Sequence, residues 1–247
     1  MDRKSLWISI IAVALSFVGG FLLANAINRS ELETLRSENE RLKSSSAEAT
    51  TTAAEFTLTN EEIDRKIAEA DQNAANFRYQ KNLGLALYRY GSMKQNPEII
   101  AKSIRILERA SALNSIDNDV IIGLGNAHFD VGYFGKDNAG FERSREFYER
   151  ALHLRPGDVE VQTDIGLTYF LQDPPELKLA TENFQKSLKT NPSHEKTLQF
   201  IIQALIKDQK PAEAEQYLEQ LKKANPSSQS VSELSTMISN AKSGAAK

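Results

Sequence analysis

The stretch Gly125–Pro156, GNAHFDVGYFGKDNAGFERSREFYERALHLRP, reads as two amphipathic helices joined by a turn. With the residues just before it, Ile121, Leu124, Gly125 and His128 fall at i, i+3, i+4 and i+7, one face of a 3.6-residue helix. Phe147, Tyr148, Ala151 and Leu152 form the matching face of the second helix. Arg155-Pro156-Gly157 then stops it, because proline cannot donate the next backbone hydrogen bond and turns its predecessor away from helical angles.

The same unit recurs. Gly84, Gly125, Gly166 and Ile202 occupy equivalent slots, 41, 41 and 36 residues apart, within the period range of stacked helical repeats. The ends of the second helices supply an independent ruler. ILERASALNS ends at Ser115, FYERALHLRP at Pro156, NFQKSLKTNP at Pro192 and YLEQLKKANP at Pro226, with steps of 41, 36 and 34 residues. A generic helical bundle would not keep two rulers in register.

On these residues the chain resembles the tetratricopeptide repeat family, over roughly 150 residues. The family pattern falls on Ile121, Leu124, Gly125 and His128, then Ser144, Tyr148, Ala151 and Pro156 in the second copy. In the third it falls on Gln162, Ile165, Gly166 and Tyr169, then Ala180, Phe184, Ser187 and Pro192. The first and fourth copies depart from it: Ser115 replaces the closing proline, and Ile202 and Leu221 replace small residues. The expected fold is all-α, a helix-turn-helix solenoid over 59–241, with repeats at about 77–117, 118–158, 159–194 and 195–228. Half-repeat caps are expected at 59–76 and 229–241, because the end faces of a solenoid are apolar. Thr59-Asn60-Glu61-Glu62 has the form of a capping box for the first cap helix, and Val231, Leu234, Met237 and Ile238 give the last one its apolar face.

Upstream, Leu6–Ile27 is a run of 22 residues without a charge. It spans about 33 Å as a helix, enough for a bilayer core. Residues 1–28 are therefore expected to be a membrane anchor, with Trp7 at the interface. A cleaved signal peptide is the alternative, since Ala24-Asn25-Ala26 has a cleavage-site form, but the run exceeds the usual apolar core of such peptides. Either way the remainder lies across the membrane. Residues 29–43 place Leu32, Leu35, Asn39 and Leu42 at a and d heptad positions, which suits a parallel homodimeric stalk. So short a segment equally suits a single solvated helix. Residues 44–58, rich in Ser, Thr and Ala, read as a flexible linker.

Composition excludes several classes of function. The net charge of −3 leaves no basic excess for nucleic acid. The absence of cysteine removes disulfides, thiol catalysis, thiolate metal sites and covalent haem attachment. His128 fills an aromatic slot of the repeat, His153 sits on an outer helical face and His194 follows a turn; no two share metal-ligand spacing. Gly123-x-Gly125 lies inside a helix rather than after a strand, so it is no dinucleotide fingerprint. No enzyme activity, cofactor or metal is expected.

What remains is a surface. The family resemblance implies a concave groove, lined by the first helices of successive repeats, that binds peptides or protein segments. It would carry Arg78, Lys81, Leu85, Tyr88 and Arg89 from the first copy, and Asp119, Ile122, Asn126, Phe129 and Asp130 from the second. The third would add Glu160, Thr163, Leu167, Phe170 and Leu171, and the fourth Lys196, Gln199, Gln203, Ile206 and Lys207. Tyr88, Phe129, Phe170 and Ile206 are equivalent, and read either as an apolar ladder along the groove or as part of the hairpin core. The family's carboxylate clamp is not expected: Lys81 and Asn126 match it, but Leu85 and Ile122 stand where polar residues are needed. The first two copies each carry about seven extra residues, at 92–100 and 133–141. These either lengthen the hairpins or form a partner-binding edge with Tyr133 and Phe134 exposed.

With its anchor, the chain resembles bacterial envelope proteins with periplasmic tetratricopeptide repeats, such as cytochrome c maturation factors and ancillary subunits of the secretion translocon. That implies a single-pass inner-membrane protein acting as an adaptor or chaperone-like scaffold for a protein segment. The alternative is a structural subunit of a stable complex, held through its hairpin tips or convex face.

Overall fold

The structure, a computed structural model, describes residues 58–244. The expected anchor, the stalk with Leu32, Leu35, Asn39 and Leu42, and all but the end of the linker lie outside the described residues. Among the described residues no helix is long and apolar enough to cross a membrane.

Short polar residues open the helices. Asn76, Asp117 and Asp158 each accept the amide hydrogen of the residue three further on, starting α2 (Phe77–Met93), α4 (Asn118–Gly135) and α6 (Val159–Leu171). Asn96 accepts from the amides of Glu98 and Ile99 to start α3 (Pro97–Leu113), and Asp137 from that of Ala139 to start α5 (Asn138–Leu154). The remaining helices are α1 (Asn60–Gln72), α7 (Leu177–Thr190), α8 (Glu195–Lys207), α9 (Pro211–Ala224) and α10 (Ser230–Gly244). Proline at the start of α3 and α9 fits its lack of an amide hydrogen, since the first helical amides have no intrahelical partner. The last helix runs three residues past the expected cap boundary at 241.

Helices pair as α2/α3, α4/α5, α6/α7 and α8/α9, with α1 and α10 closing the ends. Each packs mainly on its chain neighbours, and α2, α4, α6 and α8 also touch in sequence, forming one face. Large residues sit opposite the repeat glycines. A Cβ on Gly125 would lie 2.6 Å from the ring of Tyr148, and one on Gly166 would lie 2.5 Å from the ring of Phe184. In the fourth copy Ile202 and Leu221 are both fully buried in one core with Phe184, Leu198 and Ile201.

The extra residues of the first two copies are absorbed as helix. α2 and α3 have 17 residues each and α4 and α5 have 18 and 17, against 13 and 14 in each of the last two pairs. That is about one turn per helix, so the apolar faces keep their phase.

The first cap is held by polar contacts. Gln80, fully buried, donates from Nε2 to the carbonyls of Ala70 at 2.7 Å and Asn73 at 2.9 Å. Arg109 reaches the Asp71 carboxylate at 2.8 Å.

Candidate functional site

The face made by α2, α4, α6 and α8 holds two adjoining hollows that share Tyr88 and Asn126. One, of about 370 Å³, adds Leu85, Arg89, Asp119, Ile122 and Gly123. The other, of about 260 Å³, adds Phe129, Asp130, Tyr148, Asp164, Leu167 and Lys196. Of the residues expected in the groove, the structure thus brings together Leu85, Tyr88, Arg89, Asp119, Ile122, Asn126, Phe129, Asp130, Leu167 and Lys196. Several others do something else.

Lys81 is engaged locally. Its ammonium lies 2.9 Å from Asp117 and 2.7 Å from Asp119, so the residue that caps α4 also ties it to α2. Burial works to lower the Lys81 pKa, but the hydrogen bonds Lys81 donates to Asp119 and Asp117, with their charges, outweigh it and raise the value overall. Arg78 is exposed beside a separate hollow with Lys66, Tyr79, Asn82 and Leu83. Gln199 donates to Glu195 and to Ser230, bracing the C-terminal cap. Gln203 is half-buried on α8.

Thr163 is not a groove residue. It is 0% exposed, and its hydroxyl lies 2.9 Å from Ser187 Oγ, 2.7 Å from Thr197 Oγ1 and 2.7 Å from the Val159 carbonyl. The residue that faces the groove is its neighbour Asp164. Its counterpart one repeat earlier is Gly123, which has no side chain to carry a signal, whereas Ile122, the counterpart of Thr163, does line the larger hollow.

The aromatic ladder is both floor and core. Phe129 lines the smaller hollow, stands edge-on to Phe141 at 5.5 Å and packs against the cores on both sides of it. Phe170 stands edge-on to Phe200 at 6.3 Å, with the Lys207 ammonium 5.4 Å from its ring centre. Ile206 and Tyr88 are likewise half-buried against their cores. At the tip of α4, Tyr133 is 53% exposed but Phe134 is half-buried. Successive helical residues diverge by about 100°, so the two do not face out together.

The smaller hollow is electrostatically strained. Lys196 contacts Asp164 at 2.7 Å and Glu160 at 3.2 Å. Glu160 also meets His194 Nε2 at 2.8 Å, and His194 Nδ1 lies 2.6 Å from Thr197 Oγ1. Tyr148 donates its hydroxyl hydrogen to Asn126 Oδ1 at 2.8 Å. Burial raises the Asp164 pKa despite the Lys196 charge beside it. Burial also raises the Asp130 pKa, although the hydroxyls of Ser92 and Tyr88 oppose the shift. Burial, then the charge of Asp130, pushes the Tyr88 hydroxyl up to about 12. Asp130 Oδ2 is shut off from solvent and accepts no hydrogen bond.

Asp164, His194 and the Tyr148 hydroxyl were not expected in this arrangement. Each comes from a different phase of the repeat, and only the stacking of helices juxtaposes them.

A stability test follows from Asp130. Its folded-state pKa lies above the ordinary 3.8. The ionised carboxylate therefore costs stability above the folded pKa, and the cost disappears as pH falls through that value to 3.8. Asp130→Asn is expected to stabilise the chain by about 1 kcal/mol at neutral pH. The gain should vanish below about pH 4, read from urea midpoints across a pH series. A destabilised variant at neutral pH would show that the carboxylate is well paired.

Known proteins share this architecture. Residues 133–246 match a family model described as the second ARM domain of tetratricopeptide repeat protein 21. A crystal structure of MamA superposes with a TM-score of 0.54 at 17% identity, covering 67% of this chain and 81% of that one. MamA MSR-1 gives 0.51 at 19% identity, covering 69% and 87%. The C-terminal part of a TPR repeat-containing protein from Cytophaga hutchinsonii gives 0.53 at 15% identity, covering 70% and 65%. No curated protein matches the sequence. The paired helices, the glycine–aromatic contacts between them and these likenesses agree on the fold: the described residues form a helical-repeat solenoid similar to those of tetratricopeptide proteins.

Proposed function

We propose that this protein is a non-enzymatic adaptor that holds an extended segment of another protein along the face of α2, α4, α6 and α8. The observation that carries the reading is the pair of adjoining hollows sharing Tyr88 and Asn126, with Phe129 in the wall of the second. Aromatic side chains in such positions supply most of the energy of a peptide interface, because they bury large area at low entropic cost. The proposal extends to location. The apolar run 6–27 anchors the chain in a bacterial inner membrane with the repeats on the periplasmic side, so that the groove works beside the membrane.

One observation favours a second reading. Tyr133 stands out beside a hollow of about 300 Å³ lined with Lys136, Asn138, Phe141, Leu171 and Asp173. A permanent subunit could be held at this hairpin tip instead.

In-cell crosslinking separates the two. A photoreactive residue is placed at Phe129 and, separately, at Tyr133, and the adducts are identified by mass spectrometry. A partner captured at Phe129 and not at Tyr133 is the expected result. Capture at Tyr133 alone moves the function to the tip, and no specific adduct at either position removes the groove reading.

A further inference from the structure

We propose that the smaller hollow receives a cationic side chain, an arginine guanidinium before a lysine ammonium, carried by the bound segment. The inference rests on the groove reading above and adds the chemistry of its central anchor.

The charges at this point do not balance. Asp130 and Asp164 line the hollow with one ammonium, that of Lys196, which is already shared between Asp164 and Glu160, while Glu160 also contacts His194. The hydroxyls of Ser92 and Tyr88 donate to Asp130, but its Oδ2 accepts no hydrogen bond, and no ion pair among the described residues involves it. A half-buried carboxylate is comfortable only when a cation or donors surround it. A cation entering from the groove would supply the missing countercharge. A carboxylate there would meet Asp130 uncompensated, so the hollow rejects acidic side chains as well as accepting basic ones.

Size and walls agree with charge. About 260 Å³ falls below the usual range of small-molecule pockets, and suits one side chain rather than a cofactor. Tyr88 and Phe129 both line it. Aromatic faces attract cations, and a planar guanidinium stacks on them better than an ammonium does. Asn126 and the two aspartates offer acceptors for the several hydrogens of a guanidinium.

The test uses the full chain, isotope-labelled and held in detergent micelles, titrated with N-acetyl-arginine N-methylamide. The same titration with the citrulline derivative removes the charge and keeps the shape. Saturable amide shifts at Asn126, Phe129, Asp130 and Asp164 are expected with arginine. They should weaken by about tenfold with citrulline, the loss expected for one charge-assisted contact, and by a similar factor in Asp130→Asn. Equal binding of the two probes, unchanged binding by Asp130→Asn, or no saturable shift overturns the proposal. The crosslinking result keeps the two readings apart. Adducts at Phe129 without arginine preference sink the cationic anchor and leave the groove standing. Arginine preference without adducts keeps the cation site and sinks the adaptor.

Discussion

Gly140→Ala is expected to lower the free energy of unfolding by about 3 kcal/mol, the upper end for overpacking, whereas Gly157→Ala stays within about 0.5 kcal/mol. The two glycines differ in what a methyl group would meet. On Gly140 a Cβ would lie 2.5 Å from the backbone nitrogen of Gly132, 2.7 Å from its Cα and 3.0 Å from the His128 carbonyl oxygen. All three are backbone atoms of α4, so no rotamer change relieves the clash. On Gly157 a Cβ meets nothing within 4 Å, and its φ is not positive. Alanine ordinarily gains up to about 1 kcal/mol over glycine inside a helix. A loss at Gly140 would therefore report the close approach of two helices. The damage should reach the groove. Phe141 follows Gly140 and stands edge-on to Phe129, so α5 forced away from α4 unseats the ring in the wall of the smaller hollow. Urea unfolding followed by circular dichroism gives the measurement. Equal midpoints for the two variants would show that backbone contact does not set the spacing of α4 and α5.

The comparison of Gly140 with the repeat glycines also marks what the sequence disclosed. Gly125 and Gly166 were legible because they recur at a 41-residue step, each ahead of a large residue, Tyr148 or Phe184, that fills the space it leaves. The extra residues at 92–100 and 133–141 were legible only as one of two readings, longer hairpins or a projecting edge, because about seven residues come close to two helical turns that keep the apolar face in phase. The pairing of Gly132 with Gly140 was not, because it depends on how closely two backbones approach. The groove was half legible. Its aromatic positions follow from repeat equivalence, but Asp164 hid behind the blank of Gly123. Thr163 was misplaced because its burial depends on Ser187 and Thr197, which meet it from two other helices. Side chains that act between helices carry no period of their own.

Phe184→Ala is expected to cost about 4 kcal/mol, and to do so regionally. Phe184 is 0% exposed, and its ring stacks on Phe200 with centres 6.4 Å apart. Its neighbour across the hairpin is Gly166, which has no side chain to collapse into the hole. The cavity would be walled by backbone on that side, the situation in which truncation costs most. Stability in a stacked-repeat protein is close to a sum of repeat terms and nearest-neighbour interfaces, so the loss need not spread. The core around Phe184 joins the third and fourth copies to α10, whereas Ile63, Ile67, Leu87, Ile99 and Ile106 join α1 to the first copy in another cluster. Amide hydrogen exchange should therefore accelerate in α6 to α9 while α2 and α3 keep their protection. The functional consequence is specific. α6 and α8 carry Asp164 and Lys196, but the larger hollow is built from α2 and α4 alone. Arginine preference should be lost under conditions where Tyr88, Arg89 and Ile122 still hold their places. A uniform rise in exchange across all the helices would show that the solenoid unfolds as one unit, and that its two hollows cannot be uncoupled by a single cavity.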